Sequence, residues 1–375
     1  RRWSDLFDRL VDAAVDTPMV VALDEAPYLV DSSLSFPSEL QRSWDRARHL
    51  DRPSHLHLVI TGSALATISE LVSSRGALYE RADNLMRLEP VDVPTSGTFI
   101  GAPSAEVVIE AWAATGGYPL LLSRWDCERS ALSNLRRLAA DPMGPLASNA
   151  SVMLLDLPEA SSYLRVMTAI GRGATKASEV SSHSGARIER LMASLLSAGY
   201  VTRLVPIGER RGHPHYELAD QYLRFWFGVL ERDMQLIESG QGPAVINRAT
   251  PRWDRVVADA FERAARDHLA RLVRAGELDP DLVVGRWWTS RPKQIELDVV
   301  GIGAAGWLLV GEAKWKEVVT RSDLQQLRSA QAQLRQAAGA RLAMWARDRF
   351  SPEVITETPG ALLFTARDVV APRGT

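Results

Sequence analysis

The chain has 375 residues, 46% of them hydrophobic and 24% charged, with a net charge of −2. This composition is globular, and the length exceeds one ordinary core, so two or three domains are expected. The near-neutral charge excludes a general attraction to polyanions, so nucleic-acid binding would need a local basic surface. Because there is one cysteine, no signal-peptide pattern and no apolar stretch near the ~18 residues that span a bilayer, we predict a cytoplasmic protein without membrane contact.

Near the start, an apolar stretch ends in two adjacent carboxylates. Residues 19–25 read Met-Val-Val-Ala-Leu-Asp-Glu, and such a continuous apolar run predicts a parallel strand buried on both faces. At the tip of this strand in an ATPase, Asp24 would hold Mg²⁺ through water and Glu25 would polarise the attacking water. The alternative is an acidic pair at a helix start, where it interacts favourably with the helix dipole.

A second apolar run, residues 56–60, ends in Thr61-Gly62-Ser63. An amphipathic helical stretch lies between the two runs at 36–50, so the pattern predicts a β-α-β unit. Further along the chain come Leu78-Tyr79-Glu80-Arg81, a short predicted strand at 86–90, and Gly116-Gly117-Tyr118-Pro119 within a predicted helical region.

The middle of the chain has the pattern of a winged helix. Helices are predicted at 163–170, 176–182 and 186–198, followed by hairpin strands at 200–205 and 215–218. Arg187 and Arg190 lie on the outer face of the third helix, and Arg210 and Arg211 lie in the hairpin loop. These positions suit phosphate contacts, so DNA is the predicted partner. The alternative is a packing module with solvated arginines.

The C-terminal part holds two short acidic motifs at the ends of predicted strands, Glu296-Leu297-Asp298 and Glu312-Ala313-Lys314. Side chains two apart on a strand share a face, so neighbouring strands could bring Asp298, Glu312 and Lys314 together. The carboxylates would bind Mg²⁺ or Mn²⁺, and the lysine would orient the nucleophile or stabilise charge in phosphodiester hydrolysis. The alternative is a buried strand edge with a chance ion pair.

Lysine usage supports the first interpretation. Only four of the 44 basic residues are lysines, and three of these lie between 293 and 316. Because an ammonium is a compact point charge that arginine does not imitate, this clustering indicates a chemical requirement near the two acidic motifs.

Two resemblances follow from these motifs. The Asp298…Glu312-x-Lys314 pattern resembles the PD-(D/E)xK nuclease superfamily, which implies that Glu262, on the first helix of that part, joins the metal site. The order Leu-Asp-Glu, Thr-Gly-Ser, Leu-Tyr-x-Arg, Gly-Gly-Tyr-Pro is similar to prokaryotic AAA+/STAND-like ATPases that carry a C-terminal DUF234 domain. This second resemblance implies nucleotide-sensing roles for Ser63 and Arg81.

The chain departs from the ATPase pattern at one decisive point. A phosphate loop needs Gly-x-x-x-x-Gly-Lys-Ser/Thr, and no lysine here follows a glycine. We therefore expect the segment with this loop to be missing upstream of Asp24, and ATP to be bound only if that segment is supplied.

The predicted fold class is a multidomain α/β protein. Its predicted parts are the rear of a P-loop ATPase core at 1–103, a helical lid at 104–156, a winged helix-turn-helix at 157–232, a linker at 233–250, and a mixed α/β restriction-nuclease-like domain at 251–375. The function hypothesis is metal-dependent cleavage or binding of DNA. The alternative is an inactive nuclease-like module that docks or regulates an ATPase, and a homo-oligomer or a partner protein is left open.

Overall fold

The computed structural model describes residues 2–62, 65–154, 160–209, 213–289 and 294–372, with no side-chain detail for 65, 66 and 160. Its contacts divide the chain into two compact units, Arg1–Leu88 and Glu89–Thr375. Both contain helices, and the sheets are small, so a mixed α/β architecture is confirmed. In the described part of the chain, no helix is both long and apolar enough to cross a membrane.

The first unit is a two-stranded parallel sheet covered by helices. Met19 pairs with Leu56 and Leu23 with Ile60, which confirms the predicted β-α-β unit. Its core includes Phe7, Phe36 and Leu40. The elements are α1 (Trp3–Asp16), β1 (Met19–Leu23), α2 (Ala26–Ser32), α3 (Phe36–Ala47), β2 (Leu56–Ile60) and α4 (Leu65–Val72).

Burial along these strands differs from the prediction. Alternate residues of β1 and β2 are exposed, so Val20 keeps 71% of its surface accessible. Helices within this unit cover one face of the two-stranded sheet, and the continuous apolar run therefore has one open side.

The second unit begins before the predicted boundary at 103. Residues 86–90, predicted as a strand, have no regular structure. The helix after them packs on two helices of the second unit, Ala105–Thr115 and Ala366–Val370. Asp92 caps that helix by accepting from Thr95 N–H at 2.9 Å. The first helices are α5 (Val93–Ile100), α6 (Ala105–Thr115), α7 (Pro119–Leu122), α8 (Ala131–Ala139) and α9 (Pro145–Met153).

Three helices and an antiparallel hairpin follow in the predicted order. Val201 pairs with Leu218, and Leu204 pairs with His215. The buried residues include Val166, Met167 and Leu195. The elements are α10 (Ala160–Gly171), α11 (Ala177–Ser184), α12 (Ile188–Ser197), β3 (Val201–Leu204) and β4 (His215–Leu218).

The predicted linker at 233–250 is helical instead. Ile237, Val245 and Ile246 are buried, so this segment contributes to the core, and Gly240 with φ 84° only marks a break between helical turns. Glycine and proline indicated a linker because they also occur at such breaks. The segment comprises α13 (Gln221–Phe225), a π-helical turn (Trp226–Leu230), a 3₁₀ turn (Glu231–Asp233), α14 (Met234–Leu236), a second π-helical turn (Ile237–Gln241) and α15 (Gly242–Arg248).

The C-terminal part is a five-stranded mixed sheet with strand order β11-β9-β7-β6-β5. Strands β5, β6 and β7 are antiparallel neighbours, whereas β7, β9 and β11 run parallel. The strands are β5 (Val283–Thr289), β6 (Ile295–Gly303), β7 (Gly306–Lys314), β9 (Arg341–Ala346) and β11 (Leu362–Thr365), with a separate parallel pair of β8 (Val318–Val319) and β10 (Arg349–Phe350). The helices are α16 (Thr250–Arg274), α17 (Arg321–Ala332), α18 (Pro352–Glu357) and α19 (Ala366–Val370), with a 3₁₀ turn at Arg335–Ala337.

This sheet has a helix on each face. Phe261 and His268 of α16 pack with Trp345 of β9 on one face, where Trp345 Nε1 lies 3.2 Å from His268 Nδ1. Leu324 of α17 packs with Met344 on the other face. Alternation along β9 therefore distinguishes the α16 face from the α17 face.

A glutamate on α6 makes the stability of this unit depend on pH. Burial, together with the charges of Glu106 and Asp254, raises the pKa of Glu110 to about 7, although Arg347 opposes the rise. A carboxyl that binds its proton more tightly when folded stabilises the fold below its unfolded pKa and loses that contribution as pH rises through its folded pKa.

We expect Glu110→Gln to remove this loss. The difference in free energy of unfolding between Glu110→Gln and wild type should increase by roughly 1–3 kcal/mol in favour of the variant as pH rises from 4.5 to 7. Above that range the difference should stay constant. Chemical denaturation across pH measures it, with the exposed Glu128→Gln as control. A difference between Glu110→Gln and wild type that does not change with pH would contradict the prediction.

Candidate active site

A β-bulge in β6 places Asp298. Trp287 pairs with Leu297 and Gly285 pairs with Val300, so Asp298 and Val299 share the position opposite Arg286. Such bulges redirect a side chain and occur often beside active sites. The bulge is therefore the local feature that sets the direction of the Asp298 carboxylate.

The Asp298 carboxylate lies between β6 and β7. Its Oδ2 accepts a hydrogen bond from Ala313 N–H at 3.1 Å, just beyond the last strand pair, Val299–Gly311. Burial, opposed by this hydrogen bond and reinforced by Glu312, raises the pKa of Asp298 to about 6 even though Lys314 lowers it. Asp298 is thus held in a position where its negative charge is costly.

Glu312 and Lys314 form an ion pair on β7. The Lys314 ammonium donates a hydrogen bond to Glu312 Oε1, and both side chains keep about a quarter or less of their surface exposed. Ala313 pairs with Trp345, which faces α16, so alternation turns Glu312 and Lys314 toward the α17 face. Burial opposes the lysine charge, but Glu312, Asp298 and Glu262 together raise the pKa of Lys314.

Glu262 and Arg266 approach from α16, one helical turn apart. Arg266 Nη1 donates to the Asp298 carbonyl at 2.8 Å. Burial, with the charges of Asp298 and Asp259, raises the pKa of Glu262 well above its usual range. The structure therefore brings all four predicted residues, Glu262, Asp298, Glu312 and Lys314, into electrostatic contact.

These acids do not form a closed metal cage. Within the described ranges, no three His, Cys, Asp or Glu side chains form a group that could hold a metal ion. Glu262 comes from the α16 face, Glu312 from the other face, and Asp298 lies between the strands. A cation that needs only one or two carboxylates, with waters and substrate phosphates completing its shell, still fits this donor set, and Mg²⁺ has that preference.

In the first unit, Asp24 and Glu25 follow β1 directly. Asp24 Oδ1 accepts from the Thr61 hydroxyl at the end of β2 and from Glu25 N–H, the latter at 3.1 Å. Glu25 has φ 51°, a left-handed conformation that is rare for a non-glycine residue. Both acids also precede α2, so the helix-dipole alternative stays open.

The remaining predicted site residues are not part of the cluster around Asp298. Arg81 makes a two-pronged ion pair with Asp45 of α3, at 2.7 and 2.8 Å. Arg187 and Arg190 are exposed at the start of α12. Ser63, Arg210 and Arg211 lie outside the described residues.

Sequence reasoning missed Arg266 and Arg286. Arginine is so frequent in this chain that neither residue stands out by type. A usable signal exists on α16, where Asp259, Glu262 and Arg266 recur at helical spacing beside the apolar stripe. Charges in such a stripe indicate a second, polar contact of the helix.

A comparison with protein families bears on this part of the chain. Residues 226–327 match the DUF234 family model, described as archaeal and bacterial proteins of unknown function. The match confirms the DUF234 part of the predicted resemblance, although it begins at 226 and not at the predicted boundary of 251. It includes Glu262, Asp298, Glu312 and Lys314, which together are called the acidic site below.

Two further comparisons add no functional information. No curated protein matches the chain. The crystal structure of protein VC1899 from Vibrio cholerae is 12% identical, covers 98% of this chain and 92% of its own, and has a TM-score of 0.27. A likeness at that score carries no argument about fold.

The charges around Asp298 predict that neutralising it stabilises the protein. Asp298→Asn keeps an oxygen for Ala313 N–H and removes a buried charge beside Glu312 and Glu262. We expect its free energy of unfolding at pH 8 to exceed that of wild type by about 1–3 kcal/mol, and the gain to vanish below pH ~4, where Asp298 is protonated in both states.

Lys314→Met is the opposite change, because it leaves the same carboxylates without their cation. It should lower the free energy of unfolding at pH 8. Denaturant titrations of the two variants at both pH values measure this. Destabilisation by Asp298→Asn at pH 8 would contradict the charge balance described above.

Proposed function

We propose that the C-terminal α/β part is a nuclease-like domain that hydrolyses phosphodiester bonds of DNA with Mg²⁺ or Mn²⁺. The observation that carries the proposal is the position of Asp298. Its carboxylate lies between two strands, beside the Glu312–Lys314 ion pair and within electrostatic range of the half-buried Glu262. Structural cores rarely hold so many unbalanced carboxylates, whereas functional sites often do.

Charge balance supports a divalent cation at this position. Burial, reinforced by Glu312 for Asp298 and by Asp298 and Asp259 for Glu262, raises the pKa values of Asp298 and Glu262, so a cation beside these two carboxylates would be stabilised. Asp298 and Glu312 would hold the cation, and Glu262 on α16 would add negative charge near it without needing to be a direct ligand. When bound, the cation would supply electrostatic stabilisation and an activated water.

The chain's own residues would carry the remaining roles. Lys314 donates to Glu312 and keeps its proton, because the surrounding acids raise its pKa. Its ammonium would therefore stabilise negative charge on a phosphate. The Ala313 N–H and Arg266 hold the carboxylate and carbonyl of Asp298 in place.

The nuclease hypothesis predicts metal-dependent cleavage that depends on Asp298. We expect Asp298→Ala to lower nicking of supercoiled DNA with Mg²⁺ or Mn²⁺ at least ~100-fold, because one of the two principal ligands is lost. Linear and branched DNA should be assayed in parallel. Asp281→Ala, an exposed acid before β5, is the matched control. Equal cleavage by wild type and Asp298→Ala would identify a contaminant or another site.

A DNA partner is proposed for α12, where Arg187 and Arg190 are exposed. We expect the double alanine variant to bind duplex DNA more weakly and with a shallower salt dependence. Each lost phosphate contact lowers the slope of log K against log[salt] by about 0.9. Fluorescence anisotropy at several salt concentrations measures the slope, with exposed Arg232→Ala as control. An unchanged slope would favour the packing-module alternative.

Two observations favour the second candidate, a docking or regulatory module that does not cut. Lys314 already pairs with Glu312, and no three-ligand group exists among the described residues. In this alternative, Mn²⁺ binding and cleavage are both absent. A role in nucleotide binding or sensing is proposed for Asp24, Glu25, Ser63 and Arg81 only if a phosphate loop is supplied. The β- and γ-phosphates of ATP need the backbone amides and the lysine of that loop.

A further inference from the structure

The hairpin of the three-helix segment is docked on the edge strand of the C-terminal sheet. Ile207 N–H donates to the Arg286 carbonyl at 3.0 Å, which extends the hydrogen bonding of β5 beyond its sheet. Trp287 Nε1 donates to Glu209 Oε1 at 2.9 Å. Because edge strands are prone to pairing with other chains, this contact also protects β5.

Two glycines lie at the contact. A Cβ at Gly285 would lie 3.0 Å from the Ile207 side chain, and Gly208 has φ 79° with Ile302 close by. The Ile207 side chain therefore packs directly on the β5 backbone at Gly285, and Gly208 allows the left-handed turn that follows it. A second contact is the stacking of His215 on Trp288, with ring centroids 4.4 Å apart.

Arg286 lies where this contact meets the acidic site. Its Nε donates to Glu296 Oε1 at 3.0 Å, and its Nη1 lies 3.8 Å from Glu217 Oε2 on β4. Glu217 is also paired with Arg224 at 2.6 Å. Arg286 additionally lies over the Trp288 ring, 5.8 Å from its centroid, and stands opposite the bulge at Asp298.

We propose that Arg286 is a positioning residue that holds the β3–β4 hairpin on β5 and links it to the acids around Asp298. The planar guanidinium can satisfy carboxylates on two elements at once, which an ammonium cannot do in the same geometry. A change at the hairpin thereby alters the electrostatic surroundings of Glu262, on which the Arg286 charge acts. The link between the hairpin and the acids rests on the proposed metal-dependent function, whereas the docking of the hairpin on β5 does not.

Glu217→Gln tests the link from the hairpin side, in the full-length chain. It weakens one partner of Arg286 without changing any residue of α16, β6 or β7. Amide hydrogen exchange at 201–209 and 283–289 should rise about tenfold, the factor that 1.4 kcal/mol produces. The Kd for Mn²⁺, measured by calorimetry, should weaken roughly threefold, because Arg286 then adds more positive charge to the acidic site.

Two Arg286 variants complete the experiment. Arg286→Lys keeps the charge and should raise exchange at the same amides. In an Arg286→Met background, Glu217→Gln should leave the Mn²⁺ Kd unchanged, because the link is already cut. Glu231→Gln is the control, since it breaks the 2.8 Å ion pair with Arg172 elsewhere in the same unit and should leave both readouts at wild-type values.

Wild-type exchange in Glu217→Gln and Arg286→Lys would overturn the docking role. Raised exchange with an unchanged Mn²⁺ Kd would overturn the link to the acidic site. If wild type itself binds no Mn²⁺, the proposed function fails, and the exchange measurement alone decides the docking role of Arg286.

Discussion

The second unit depends on balancing carboxylates that are partly removed from water. Glu217, Glu262, Glu296 and Asp298 come from three different elements, and Arg224, Arg266 and Arg286 lie among them. An unpaired buried charge costs several kcal/mol, about 3–5 when one partner of a buried pair is removed. The three-helix segment, α16 and the sheet are therefore tied together by charge as well as by apolar packing.

This balance is incomplete at Asp298, and the local backbone explains why. The bulge gives β6 one residue more than β5 at this point, so the Asp298 carboxylate occupies the gap between β6 and β7 and bonds Ala313 N–H. In a regular strand pair, a backbone carbonyl would accept the hydrogen bond of Ala313 N–H, and no carboxylate charge would have to be held between the strands. A costly charge kept in place by an irregular strand is better explained by function than by stability.

Element types and order were largely predictable from the sequence. The apolar runs at 19–23 and 56–60 became a parallel pair, and the helical periodicity at 186–198 became α12, because these patterns reflect local burial. The wrong predictions also came from local sequence patterns. Gly240, Gly242 and Pro243 resemble a linker, but Gly242 packs so closely on Ala140 that a Cβ would lie 1.8 Å from its carbonyl oxygen. A close contact between distant segments leaves no periodic signal.

The candidate site was predictable only in part for the same reason. Spacing placed Glu312 and Lys314 on one side of β7, and that pair is present. Spacing could not show that Asp298 follows a bulge, since bulges depend on how two strands pair, nor that Arg286 stands opposite it. The docked hairpin was equally hidden. Because Ile207 and Glu209 bond residues of β5, the loop that follows β3 is held against the sheet, whereas the start of α12 is exposed. Arg286 contacts both Glu217 of the hairpin and Glu296 of β6, and such a contact between segments distant in the sequence leaves no spacing from which it could be predicted.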